Sequence, residues 1–261
     1  RRFANPLNSS IDRFVWDYWH VPGEYTTLRT PAYHYFPKAQ YEAFHRHLVR
    51  FGRERLGCHD VSPPWLSCYV EGCRQEAHQD LPHGPLAFVF SLTHWESRPF
   101  KGGETFIVKP RRLIAPAFNR LILFNPALVH GVRKVSGTHD PRMGRLVIHG
   151  WFVNPRPFIR GPLKERDLSL AIEQVLESLG VLLSSPEYRG VRVQGMTSFS
   201  FKVRPDGRVS GTRLLVQSLR AQAGQSGLCA QILRQIAFDL NQMRFPKQRL
   251  ASEVTLPLVL E

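Results

Sequence analysis

Between residues 65 and 152 the chain is cut into short pieces. Apolar or alternating runs stand at 65–70, 86–92, 104–108, 121–124 and 145–152, with Gly, Pro and Asn between them. None is long enough for a packed helix, and all have the length of strands. Short strands following one another with turn residues between them build an antiparallel sandwich or barrel. The middle of the chain is therefore expected to be mainly β, with helices confined to its flanks.

Those flanks read differently. Over 38–56, Tyr41, Phe44, Leu48 and Phe51 recur at three- and four-residue steps with charges between them, and Gly57 follows as a stop. After Gly161 and Pro162, residues 163–183 carry an apolar face of Leu168, Ala171, Ile172, Val175 and Leu179. The tail changes period again: 199–203 alternates, Arg204 to Arg208 is a turn, 209–216 is a second strand, 229–243 a helix and 254–260 a last strand. That is a small ββαβ unit. The first thirty residues hold Phe14, Trp16, Tyr18, Trp19 and Tyr25, which are expected to pack on the main sheet. The expected division is 1–162 with a β core at about 62–155, a linking helix at 163–189, and an α+β domain at 190–261.

A chain of 261 residues can bury a full core. Its formal net charge of +14 is spread out: residues 1–185 carry 24 Lys/Arg against 16 Asp/Glu, and 186–261 carry 11 against 5. There is no basic stripe interleaved with aromatics, so nucleic acid is not the expected partner. A solvated basic surface explains the excess most simply; an acidic peptide or anionic small substrate is the other reading. Cys58, Cys68, Cys73 and Cys229 are too few and scattered for a disulfide framework. The even spacing of Cys68, Cys73 and His78 invites zinc, but no CxxC pair is present. Reduced thiols in a cytoplasm are expected. No apolar run nears the roughly 20 residues of a membrane helix.

The chemistry concentrates at His78-Gln-Asp80 and at His130-Gly131, about fifty residues later. Side chains at i and i+2 of an extended segment point the same way, so His78 and Asp80 can share one metal, and a His on a neighbouring strand can close the set. Two imidazoles and a carboxylate on one side of a metal leave positions open opposite, a geometry suited to non-haem Fe(II) with a chelating co-substrate and dioxygen. An HxD pair alone is equally a hydrogen-bonded surface pair.

Residues 145–152 form an apolar strand that opens with a charge. Arg145, Val147, His149 and Trp151 fall on one face of it. An arginine buried at the start of a core strand needs an anion to offset its desolvation, and a dicarboxylate would supply one bidentately. At the strand's exposed end it would instead pair with water or a Glu.

From about Trp65 to Phe152 the sequence resembles the prolyl 4-hydroxylase-like branch of the 2-oxoglutarate oxygenases. The resemblance rests on Tyr69, the His78-Gln-Asp80 pair, Ser91-Leu-Thr93, Gly102-Gly-Glu-Thr105, Arg120 to Asn125, His130-Gly-Val132, and Arg145 opening a strand that ends Gly-Trp-Phe. It implies a double-stranded β-helix, or jelly roll, with flanking helices. It places Fe(II) on His78, Asp80 and His130, with no catalytic group beyond these ligands. It gives Arg145 the distal carboxylate of 2-oxoglutarate, makes Tyr69 a hydroxyl donor to the same molecule, and lines its slot with Thr105. Ser91 stands where some relatives have Tyr, so its reach is shorter, and Arg142 is the close rival to Arg145. His149 and Trp151 are either core or substrate pocket.

The implied reaction is hydroxylation of an amino-acid residue, in a peptide or protein more than free, with release of succinate and CO₂. Fe(II), 2-oxoglutarate and O₂ are the implied cofactors and co-substrates, and ascorbate is admitted as an accessory reductant. Asp80 favours hydroxylation over halogenation, because the related halogenases carry a small residue there. The tail resembles, more weakly, the TonB C-terminal-like fold, which implies a sheet edge open to an extended peptide or a packing module. Two other readings are weighed: a binding scaffold that kept the β-helix, against which the intact ligands and Arg145 stand, and zinc-dependent hydrolysis, which lacks a general base.

Overall fold

The computed structural model describes residues 16–221, 225 and 227–260. Along them run β1 (Asp17–Val21), β2 (Tyr25–Pro31), α1 (Ala32–Tyr35), α2 (Lys38–Phe51), β3 (Cys58–Val61), β4 (Trp65–Tyr69), β5 (Arg74–His78), β6 (Leu86–Ser91), β7 (Thr105–Ile107) and β8 (Arg112–Ile114). Then come β9 (Leu121–Phe124), β10 (His130–Val132), β11 (Arg145–Pro155), β12 (Phe158–Arg160), α3 (Glu165–Ser184), β13 (Val193–Val203), β14 (Val209–Gln217), β15 (Arg220–Ala221), α4 (Leu228–Gln242) and β16 (Ser252–Leu260). They divide into two compact units, one of Arg1–Leu48 and Val61–Val153, the other of Val49–Asp60 and Asn154–Glu261.

In the first unit the strands follow the order β8-β7-β10-β5-β2-β4-β11-β6-β9, with β1 on β2. The pairs are antiparallel. Sequence neighbours are often not sheet neighbours, and the curled sheet is a double-stranded β-helix, as the short-strand pattern led one to expect. Register decides which side chains share its interior. Arg29, Ser67 and Val147 stand in one row across β2, β4 and β11. Tyr69 faces Arg145 in the next row, and Trp65 faces His149 on the other side. Tyr69, Cys73, Phe100, Val132, Val135 and Val147 pack together behind this wall.

Three features depart from the sequence expectations. The helix expected over 38–56 is α-helical only to Phe51 and closes with one π turn, Gly52–Leu56. That turn ends at Gly57, whose φ of +76° suits glycine and whose hydrogen stands where a Cβ would meet Pro257 at 2.6 Å. Phe51, expected on the apolar face, is 36 % exposed, while Leu48 is buried. The aromatic N-terminal stretch forms an additional hairpin, β1–β2, in which Tyr18 is largely exposed while Trp19 meets Trp65 edge-on. Phe14 lies outside the described residues.

The second unit is a sheet of order β12-β16-β13-β14, with β15 on β13. The tail strands, turn and helix expected from sequence are present, and β12 adds an edge strand to them. The helix expected as a linker contributes Leu168, Ala171, Val175 and Leu179 to this unit's core, beside Ile232, Ile236 and Leu240 of α4. The apolar period of α3 thus marks a packed helix. Cys58, Cys68 and Cys73 are buried, Cys229 is half-buried, and all four thiols are free. Among the described residues no helix is long and apolar enough to cross a membrane.

Candidate functional site

β5 ends on His78 and β10 begins on His130, and the two residues are direct partners across the strand pair. Each imidazole is held from behind. His78 Nδ1 donates to Glu76 O at 2.8 Å, and His130 Nδ1 donates to Leu128 O at 2.8 Å. Because a carbonyl only accepts, these bonds place a proton on each Nδ1 and turn both Nε2 atoms forward. The chain then turns so that Asp80, anchored by its N–H on Pro126 O at 2.9 Å, faces both rings. Its Oδ1 lies 3.3 Å from His78 Nε2 and its Oδ2 lies 3.5 Å from His130 Nε2.

The protonation preferences follow from these contacts. The Asp80 hydrogen bond raises the His78 pKa against the opposing effect of burial. Burial also pushes the Asp80 carboxyl up, but the His78 hydrogen bond and the two imidazoles outweigh it and hold it below the usual range. Burial lowers the His130 pKa, so that ring is neutral at physiological pH. Two nitrogens and a carboxylate oxygen within 4.8 Å of one another form, among the described residues, the group able to hold a metal ion. The donor set fits Fe(II), with the remaining side open to the cavity.

That cavity, of about 610 Å³, also holds Arg145, Tyr69, Thr105, His149 and Trp151. Arg145 is 1 % exposed. Its Nη2 donates to Thr105 Oγ1 at 3.1 Å, and its guanidinium carbon stands 4.5 Å from the centre of the Tyr69 ring. Nε and Nη1 are buried and make no hydrogen bond. Burial pulls the Arg145 pKa below its ordinary value, and nearby Tyr69 offsets this only in part. A cation so placed calls for an acceptor anion. Arg142 does not compete: it is exposed and grips Asp140 through Nε and Nη2 at 3.0 and 2.7 Å.

The other expected residues divide. The Tyr69 hydroxyl donates to Gln75 Oε1 at 3.2 Å. His149 Nε2 is 2.8 Å from Ser67 Oγ, and burial drives its pKa down to about 4, so the ring lining the cavity is neutral. Trp151 lies against His83 at 4.5 Å between ring centres, so both residues belong to the cavity wall. Ser91 does not line the cavity: it is fully buried, donates to Pro116 O and accepts from the Thr93 N–H. A short hydroxyl in that row is taken by the backbone before it can reach a ligand. Cys68 and Cys73 form no metal group with His78, and Cys68 Sγ is turned to Pro141 O. Sequence reasoning missed Arg29, Trp65, Gln75 and His83 in the wall. The alternation of Tyr25, Thr27 and Arg29 was the available signal for the first.

Residues 64–153 match the model of the 2OG-Fe(II) oxygenase superfamily. No curated protein matches the sequence. Among solved structures, a prolyl-4-hydroxylase from Pseudomonas putida is 18 % identical, with 55 % of this chain and 78 % of that one covered and a TM-score of 0.39. An oxidoreductase of the 2OG-Fe(II) oxygenase family from Burkholderia pseudomallei is 19 % identical, covering 52 % and 63 % of the two chains, with a TM-score of 0.36. A viral collagen prolyl hydroxylase from Paramecium Bursaria Chlorella virus-1 is 15 % identical over 48 % and 78 %, with a TM-score of 0.33. The match over residues 64–153 supports a 2-oxoglutarate-dependent dioxygenase, a type of enzyme that uses Fe(II), 2-oxoglutarate and dioxygen.

Proposed function

We propose that the first unit hydroxylates an amino-acid residue within a peptide or protein, consuming 2-oxoglutarate and releasing succinate and CO₂. The observation that carries this is the pairing of a two-His, one-carboxylate cluster with a fully buried arginine whose Nε and Nη1 lack acceptors, in one cavity. On this reading His78, Asp80 and His130 hold Fe(II), which when bound supplies dioxygen activation at the expense of the keto acid. Arg145 receives the distal carboxylate through its fork, with Thr105 fixing one arm of the guanidinium and Tyr69 covering its face. Neutral His149 and Trp151 form the wall against which the target side chain lies, and their rings exclude water from it.

The peptide preference is supported by the second unit, whose β14 is a sheet edge able to take an extended strand, and by the basic surface. The test is mass spectrometry on peptides encoded by neighbouring genes, incubated with the protein, Fe(II), 2-oxoglutarate and ascorbate. Gain of one oxygen atom in step with succinate is the expected result. Succinate without any oxygenated peptide, together with an oxygenated free amino acid, would move the substrate to small molecules.

A further inference from the structure

A second cation stands in the same cavity and is absent from the scheme above. Arg29, on β2, lines the cavity wall with its guanidinium carbon against two indoles, 3.6 Å from the ring centre of Trp19 and 4.5 Å from that of Trp65. The two rings stand edge-to-face to one another and pack on the guanidinium from two directions, and its Nε is buried without a partner. No side-chain hydrogen bond or ion pair joins Arg29 to another described residue. Burial lowers the pKa of this half-buried residue, and nearby Tyr25, Tyr69 and Asp17 offset that only in part.

A purely structural arginine had a partner at hand. Asp17 is the residue directly opposite Arg29 in the β1–β2 pair, where facing side chains sit about 5 Å apart. The side chain nevertheless makes no ion pair with it and is held on the indoles instead. Trp19 comes from β1 and Trp65 from β4, so two strands flanking β2 fix the orientation of the guanidinium. Packed on the indoles, it keeps N–H donors in a planar fork that matches a carboxylate.

Arg29 is also not a second anchor for 2-oxoglutarate. It sits in the row of Ser67 and Val147, one row away from Tyr69 and Arg145, and two strands from β11. Two strand spacings are about 10 Å. His149, in the row on the far side of Val147 from Arg145, feels the charge of Asp80, Arg29 and Arg145 together. The cavity wall thus carries two cations, one row and two strands apart.

We propose that Arg29, clamped by Trp19 and Trp65, binds a carboxylate of the primary substrate, so that the hydroxylated unit is an amino acid with a free carboxylate close to the reacting carbon. This rests on the oxygenase reading above. The carboxylate is either the α-carboxylate of a free or C-terminal amino acid, or the side chain of an internal Asp or Glu.

The experiment is calorimetric titration of the Fe(II)- and 2-oxoglutarate-loaded protein under nitrogen, where no turnover occurs. One probe set is the free amino acids beside their α-amides. The other is N-acetylated, C-amidated tripeptides with central Asp or Glu beside those with Asn or Gln. Wild type should bind the acid at least tenfold more tightly than its amide in one of the two sets, and that set identifies the source. Arg29→Gln should abolish the preference, and Arg29→Met, which keeps an apolar stem against the indoles, repeats the test if Arg29→Gln does not fold. Equal binding of acid and amide in both sets, or a preference that survives loss of the guanidinium, would overturn the proposal. 2-Oxoglutarate is titrated separately: its failure to bind would sink the oxygenase reading, while the acid–amide comparison would still be read on the protein with iron alone.

Discussion

His78 and His130 face each other across the β5–β10 pair, and each ring is fixed by the carbonyl two residues before it, Glu76 O for one and Leu128 O for the other. The metal cluster is thus built from backbone register, with Gly131 as its closest spacer. A Cβ on Gly131 would meet Gln75 O at 2.5 Å and Glu76 O at 2.8 Å, so β5 would have to move, and His78 with it. Gly131→Ala should lower Fe(II) affinity by roughly the tenfold to hundredfold known for disturbed ligand support. Metal content after desalting checks it, and wild-type retention would show that β5 tolerates the shift.

For Arg145 the expectation concerns the co-substrate. Hydrogen bonds to charged groups contribute about 1.5–3 kcal/mol, so Arg145→Gln should weaken 2-oxoglutarate by roughly tenfold to a hundredfold. Arg145→Lys should weaken it less, keeping the charge without the fork. Iron content should stay at the wild-type level in both. Calorimetry decides, with Arg142→Gln as the control expected to bind normally.

His149 predicts an acid limb. Its folded-state pKa lies near 4, below the unfolded value near 6.5, so between these values the unfolded chain binds the extra proton. The stability it supports is whole above about pH 6.5 and falls as pH drops toward 4. Thermal midpoints across that window should decline in wild type and decline less in His149→Asn. A parallel decline in both proteins would locate the acid sensitivity elsewhere.

The thiols make the opposite prediction at high pH. Burial pushes Cys58 up to about 12 and also raises Cys68 and Cys73. Because the neutral thiol is favoured in the fold, this stability is complete below the unfolded value near 9 and is lost as pH rises toward 12. At pH 8 a thiol reagent should label the half-buried Cys229 promptly and reach the other three only on unfolding. Prompt labelling of two or more would contradict the packing of β3 and β4.

The clustering of His78, Asp80 and His130 was legible because short strands with period two put the first two on one side and a distant His within reach, and the burial of Arg145 because a charge opening an apolar strand is conspicuous. Arg29 was not. In sequence it is one basic residue among many, and its environment is assembled from Trp19, ten positions earlier, and Trp65, thirty-six positions later. The β1–β2 hairpin was hidden because Asp17–Val21 is exposed along most of its length and lacks the apolar alternation of a half-buried strand. The 38–56 helix was read through to its glycine stop, since a π turn keeps helical composition while shifting which residues face inward. The backbone partner of the Ser91 hydroxyl was not legible, because such a bond on a bending chain leaves no trace in spacing.

Residues 49–60 belong to the second unit although the chain runs on from them into the first. Glu54 O accepts from Thr255, 201 residues later, and Leu56 O from Ser198, 142 later. At a ribosomal pace of about 5–20 residues per second, the π turn waits roughly 10–40 s for its Thr255 partner to be made. During that wait the first unit's strands can emerge and close. Synthesis in the N-to-C direction therefore favours a first unit formed early, with the second completed only once β16 has left the ribosome.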